Sequence, residues 1–416
     1  MKEEKITITN AQELRQEKCN VPTLRFAEYT DEWHKYALSD FVTRITRRNK
    51  NNESSLPLTI SAQYGLVDQI TFFNKTVASV DLSGYYLLYN GDFAYNKSYS
   101  NDYAWGAVKR LDKYEKGCLS SLYFVFRPTD KVDSDYLTHY FETNKWHKGI
   151  SDIAGEGARN HGLLNMAVDD YFATKHYLPS LSEQKKIACF LNLITKRIEI
   201  QNKIISDLKV LKKELMDYIL NTCGFMELSI KDLIDCGFAR IIKASEMKKF
   251  NGTRKYLSTS SIGENGIEQV ESIITYTDRP SRASMLPIKG SIWFAKMKNS
   301  VKVYQSTDND ENHYILSTGF YGLLCDETKV NSRWIIELFK SDYFNTQKDK
   351  FSEGSSMSGI KDSQLADITL KVFADKKQEK YHTNNIQNLS KKIQLEKNAL
   401  QVLLKQKQFF LNAMFI

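Results

Sequence analysis

Between Ile187 and Ile219, apolar side chains recur in alternating steps of four and three: Ile187, Leu191, Ile194, Ile198, Ile205, Leu208, Leu215 and Ile219. Gln201 and Lys212 are the two polar residues on this stripe. No Pro or Gly lies between Lys185 and Cys223, so the spacing predicts one unbroken helix. A 3.5-residue period sustained this long marks a seam for a second helix, since an ordinary surface helix buries a broader stripe.

The stripe returns near the C-terminus as Ile386, Leu389, Ile393, Leu400, Leu403, Phe410 and Met414, each 195 residues after its counterpart. The polar breaks return at the same offset, Gln201 matching Glu396 and Lys212 matching Lys407. Two unrelated heptad helices share apolar positions easily but not the places where the pattern fails, so the chain carries an internal duplication. A polar residue on a seam penalises slipped pairings, and these four are expected to select register between the helices. Each seam covers about 33 residues, roughly 50 Å of helix. A helix of that length cannot bury its stripe alone, and the other copy is the expected partner, packed antiparallel with a globular head at either end.

The segments ahead of the helices correspond more loosely. Tyr136-Leu137-x-x-Tyr140-Phe141 matches Trp334-Ile335-x-x-Leu338-Phe339 as a short amphipathic helix, and Glu156-Gly157, Gly162 and Asp170 match Glu353-Gly354, Gly359 and Asp367. Little else aligns. Short apolar runs bounded by Gly or Pro, such as Tyr85–Tyr89, Leu122–Phe126 and Ile292–Ala295, predict strands. The expected class is therefore α+β: two mixed α/β heads and two long helices forming an antiparallel coiled coil, related by a pseudo-twofold repeat. The expected division is an N-terminal extension at 1–20, a first head at 21–181, a first helix at 182–222, a second head at 223–377 and a second helix at 378–416.

Composition narrows the class only slightly. The chain has 416 residues, 42% hydrophobic and 26% charged, as in globular proteins. No run approaches the ~18 apolar residues of a membrane helix, and Met1 to Asn20 lacks an apolar signal core, so a cytoplasmic protein is expected. Six scattered cysteines without a CxxC pair suit free, mostly buried thiols, and the seven histidines form no metal-binding pattern. A net charge of +8 is a mild bias toward polyanions.

Leu178-Pro179-x-Leu181-x-Glu183-Gln184-x-x-Ile187, at the start of the first helix, resembles the join between a target-recognition domain and its spacer helix in the specificity subunit of type I restriction–modification systems. Asn20-Val21-Pro22-x-Leu24-Arg25-Phe26, followed by Trp33 and Leu38-Ser39-Asp40, is similar to the N-terminal approach of members of that family. Lys407-Gln408-Phe409-Phe410-Leu411-Asn412-Ala413-Met414-Phe415 resembles the close of the second spacer. Two features depart from the pattern: Lys376-Lys377-Gln378-Glu379 stands where the proline-bearing motif belongs, leaving the start of the second helix less sharply defined, and position 195 is Thr where an aspartate is common. The resemblance implies double-stranded DNA as ligand, each head reading half of a split sequence and the coiled coil fixing the gap. It implies two methylation subunits docked on the spacer and restriction subunits joined through them. S-adenosylmethionine, ATP and Mg would sit on those partners, and this chain would hold no cofactor and do no chemistry.

Under that reading, the basic run Arg44, Arg47, Arg48 and Lys50 would neutralise phosphates in the first head, the alternative being a solvated loop. Arg159, Asn160 and His161 sit in a glycine-rich loop able to reach base edges, or to serve only as a tight connection. Its counterpart carries Ser355 and Ser356 and lacks the basic residue. In the second head the candidates are Lys243, Arg254, Lys255, Arg279, Arg282, Lys296 and Lys298, with Arg254, Lys255 and Arg282 favoured because arginine and loop placement suit specific contact. Tyr64, Tyr95 and Tyr99 suit either DNA stacking or the core. No Asn/Asp-Pro-Pro-aromatic motif, no Pro-Asp nuclease opening and no phosphate-binding glycine loop accompanies them, which argues against an autonomous enzyme. A coiled-coil scaffold that binds protein instead of DNA is the other class these features allow.

Overall fold

In the computed structural model, both stripes lie on single helices, Leu181–Thr222 and Lys376–Ala413. The structure describes residues 6–8 (backbone only), 20–75, 78–79, 81–99, 103–154, 162–264, 266–351 and 360–416. Every seam position is buried or half-buried, including Gln201, Lys212, Glu396 and Lys407. The chain divides into two units, Met1–Asn202 with Asn398–Ile416, and Lys203–Lys397, and this division cuts through both helices. The start of the first helix shares a unit with the end of the second, and its end shares the other unit with the second's start. The helices are therefore antiparallel, and the Phe190 and Phe410 rings meet edge-on at 4.9 Å.

The first unit runs through β1 (Ile6–Ile8), β2 (Leu24–Phe26), β3 (His34–Ala37), β4 (Val42–Arg44), β5 (Leu58–Ser61), β6 (Gly65–Asp68) and α1 (Gln69–Phe73). It continues with β7 (Tyr86–Tyr89), β8 (Phe93–Asn96), β9 (Ala107–Arg110), β10 (Lys116–Leu119), β11 (Phe124–Pro128), α2 (Ser134–Tyr140), α3 (His147–Ile153), α4 (Val168–Ala173) and β12 (Lys175–Leu178), then enters α5 (Leu181–Thr222). Its principal sheet is antiparallel in the order β4-β11-β8-β9, and β3 pairs with β12 immediately before the long helix. β1 pairs with β2, tying part of the N-terminal extension to the first head. The core gathers Trp33, Phe93, Tyr95, Phe126, Tyr136 and Tyr171 around Ile187 and Leu191 of α5 and Met414 and Phe415.

The second unit begins with β13 (Phe225–Ser229), α6 (Ile230–Asp235), β14 (Ala239–Ile241), β15 (Arg254–Leu257), β16 (Ile262–Gly263), β17 (Gly266–Ile267), β18 (Ser272–Ile274), β19 (Ala283–Met285), β20 (Ile292–Ala295) and β21 (Val303–Gln305). α7 (Asp310–His313), β22 (Tyr314–Ser317), β23 (Phe320–Cys325), α8 (Ser332–Lys340), α9 (Asp342–Lys350), α10 (Asp362–Leu365), β24 (Thr369–Phe373) and α11 (Lys376–Ala413) follow. One antiparallel sheet has the order β14-β23-β20-β21, and a second, mixed sheet has the order β18-β15-β22-β19. β13 pairs with β24 just before α11.

The duplication therefore reaches into the heads, where the sequences align poorly. β4, β8, β9 and β11 have counterparts in β14, β20, β21 and β23, with the same order and the same antiparallel sense. β3–β12 corresponds to β13–β24, and α2 to α8. The start of α11 is well defined despite its missing proline: the Asp375 side chain accepts the Lys377 N–H at 2.8 Å, and Glu379 N–H donates to the Asp375 carbonyl. Among the described cysteines all are free, and Cys189 and Cys236 are exposed where burial was expected.

Candidate nucleic-acid interface

The basic run of the first head splits in two. Arg44 ends β4, an edge strand, with its side chain exposed, and Lys50 is exposed beyond it. Neither meets a carboxylate among the described residues. Arg47 and Arg48, by contrast, are committed internally. Arg47 donates to the Leu87 carbonyl at 3.1 Å, pairs with buried Asp92 at 3.0 Å and stacks on Tyr89. Asp92 also holds Arg127 at 2.6 Å, so one buried carboxylate organises two arginines. Arg48 donates to the Gly84 carbonyl at 2.5 Å and lies over the Tyr86 ring. These two stitch the segment onto β7. Asn49 is buried and exchanges hydrogen bonds with Ser54, so this loop is built rather than merely solvated.

In the second head Lys243, Lys255, Arg282 and Lys298 are exposed. Lys255 lies on β15 and Arg282 immediately precedes β19, both in the mixed sheet. Arg254 is half-buried over Phe250, where burial lowers the guanidinium's affinity for its proton against the opposing pull of Glu311. Arg279 folds back over Tyr276 and donates to its carbonyl. Lys296 is paired with Asp362 at 2.9 Å and is not a free cation, contrary to expectation. Arg254 and Arg279 keep a charged edge but have lost the reach of an extended side chain.

Arg159, Asn160, His161, Ser355 and Ser356 lie outside the described residues. Leu164 N–H donates to the Lys97 carbonyl at 2.9 Å, just after β8, and Ile360 N–H donates to the Lys296 carbonyl at 3.1 Å, just after β20. Leu164 and Ile360 thus meet the end of the same strand in the two sheets. Of the three tyrosines, Tyr95 is core and stacks on Tyr171 at 4.7 Å, whereas Tyr64 and Tyr99 are exposed. Sequence reasoning passed over the exposed aromatic group made by Tyr64, Phe72 and Phe73. The apolar spacing in α1 could have flagged it, because five residues are too few to bury their own apolar face.

The motif at the start of α5 is occupied by contacts. Glu183, 1% exposed, receives Arg25 Nε and Nη2, each at 2.7 Å, and Trp33 Nε1 at 3.4 Å. Gln184 donates to the Pro179 carbonyl and accepts the Asp133 N–H. Among the described residues no group of histidines, cysteines and carboxylates is arranged to hold a metal ion. No helix among them is long and apolar enough to cross a membrane.

No family model matches the sequence, and no curated protein matches it either. Solved structures do match the chain over nearly its whole length. The S subunit of a type I restriction–modification system from M. genitalium aligns with a TM-score of 0.54 at 14% identity, over 95% of this chain and 99% of that one. A chain from a structure of the complex assembly and conformational transition of a type I R-M system aligns with a TM-score of 0.50 at 12% identity, over 91% and 96%. The fold is that of a type I restriction–modification specificity subunit. In that fold, two mixed α/β heads accompany the packed helices α5 and α11.

Proposed function

We propose that this chain supplies the DNA address of a type I restriction–modification complex. Each head reads one half of a bipartite double-stranded target, and α5 with α11 sets the gap between the halves. The observation that carries this reading is one sheet frame used twice in heads whose exposed cations differ: Arg44 and Lys50 in one head, Lys243, Lys255, Arg282 and Lys298 in the other. A shared frame with divergent edges suits one task performed on two sequences, with phosphates bound by the lysines and base edges by arginine. Leu193, Tyr218, Tyr381, Leu395 and Phe409 are exposed apolar residues on the long helices and suit docking of two methylation subunits, through which restriction subunits would join. S-adenosylmethionine, ATP and Mg belong to those partners, and this chain performs no bond chemistry in the cytoplasmic complex.

Methylome sequencing of a strain with and without the gene tests the proposal. Deletion is expected to abolish adenine methylation at one split, asymmetric motif. Unchanged methylation at every motif, with the partner subunits expressed, would leave a protein-binding scaffold as the better reading.

A further inference from the structure

Each head is pinned to the helix pair at two points along one short helix and its flanks. In the first unit, Asp133 caps the start of α2 with its side chain and donates its backbone N–H to Gln184 of α5 at 2.8 Å. Just beyond the other end, Glu142 pairs with Lys407 of α11 at 2.8 Å. In the second unit, Asn331 caps α8 and donates its N–H to Glu379 of α11 at 3.1 Å, while Glu337 pairs with Lys212 of α5 at 2.7 Å. The long helices exchange roles between the units.

Lys212 and Lys407 are the polar breaks that interrupt the two seams. Their partners are carboxylates of the heads, a contact additional to the register role expected of them. These pairs are partly sheltered: Lys212 and Glu337 are 23% and 6% exposed and Lys407 and Glu142 16% and 29%, against 64% and 67% for the nearby Lys213–Asp342 pair. Burial raises the Glu142 carboxyl, but the nearby His139 ring, 3.8 Å away, and the paired Lys407 ammonium overcome it and hold the group at about 2. A sheltered, hydrogen-bonded pair constrains geometry far more than a solvated one.

We infer that these clamps on α2 and α8 are positioning joints that hold each head at a set angle on the helix pair. The gap between half-sites is then specified by the joints as well as by helix length. This rests on the DNA-reading function proposed above.

The test uses the full chain reconstituted with its methylation subunits, radiolabelled S-adenosylmethionine, and duplexes carrying the half-sites that the methylome returns. The gap is native, one base pair shorter or one base pair longer. The unaltered chain is expected to methylate the native gap alone. Lys407→Met is expected to bring the off-length duplexes within about tenfold of the native one, with the half-site bases unchanged. Combining Lys407→Glu with Glu142→Lys is expected to restore discrimination, and Lys213→Met to leave it intact. Unaltered discrimination in Lys407→Met overturns the inference, as does a loss that the reversed pair fails to restore. If Lys407→Met does not assemble, hydrogen exchange of residues 134–141 in Lys407→Gln decides: faster exchange, reversed in the swapped pair, supports the joint, and equal protection overturns it. Methylation of no split target by the unaltered complex would instead sink the DNA-reading proposal, leaving exchange to judge the joint alone.

Discussion

Glu183 is the side chain on which the first head closes against α5. Its carboxylate is buried and held by both forks of Arg25, a geometry that satisfies a charge with no access to water. Arg25→Met removes the cation and leaves the buried carboxylate alone, so stability is expected to fall by about 3–5 kcal/mol. Urea unfolding followed by tryptophan fluorescence checks this, and adding Glu183→Gln should recover part of the loss. A fall under about 1 kcal/mol would place the pair with ordinary surface bridges. His176 gives a pH signature. Its ring is enclosed, with the Tyr140 hydroxyl and Thr174 Oγ1 each 2.8 Å from a ring nitrogen, and burial depresses its pKa to about 4. The unfolded chain takes up this proton near pH 6.5 and the folded head refuses it until about pH 4. Stability is therefore full above about 6.5 and declines as pH falls toward 4, by on the order of 3 kcal/mol. Unfolding at pH 7 and pH 5 should reveal that decline, and His176→Gln should flatten it. The basic candidates teach a related lesson: an arginine's charge is visible in the sequence, but whether it is spent internally depends on partners such as Asp92, 45 residues from Arg47.

The elements were legible in proportion to how strictly their pattern is imposed. A seam tolerates apolar residues only every three or four positions, so α5 and α11 could be read with their polar breaks. The sheets impose no such pattern. β8 is Phe-Ala-Tyr-Asn and β20 is Ile-Trp-Phe-Ala, both buried almost throughout. Strands covered on both faces accept any apolar residue that fills the space, so the backbone order survives while side-chain identity does not. The clamps were hidden for a different reason. α2 and α8 align as Tyr136 with Trp334, which puts His139 opposite Glu337 and leaves Glu142 one turn further on. Both carboxylates still reach a seam lysine, Glu337 from within α8 and Glu142 from the turn that follows α2. The proline expected before α11 was dispensable for similar reasons, since Asp375 caps the first turn.

At the scale of the whole chain, the two clamp points on each long helix are equally spaced. Gln184 and Lys212 are 212 − 184 = 28 residues apart, and Glu379 and Lys407 are 407 − 379 = 28 apart. Twenty-eight residues are four heptads, so both points occupy the same heptad position. Because the helices are antiparallel, shortening one alone would put its two clamps in conflict with those of the other. Removing the heptad at 199–205 together with that at 394–400 keeps both seams in phase and preserves all four clamp residues. This shortens the helix pair by about 10 Å, the axial rise of about three base pairs. The doubly shortened chain is expected to direct methylation to the same two half-sites with a gap about three base pairs shorter, read by methylome sequencing. Either single deletion is expected to abolish modification. The same half-sites at the original gap in the doubly shortened chain would show that the helices do not measure the distance. Altered half-sites would show that the heads do not read independently of the spacer.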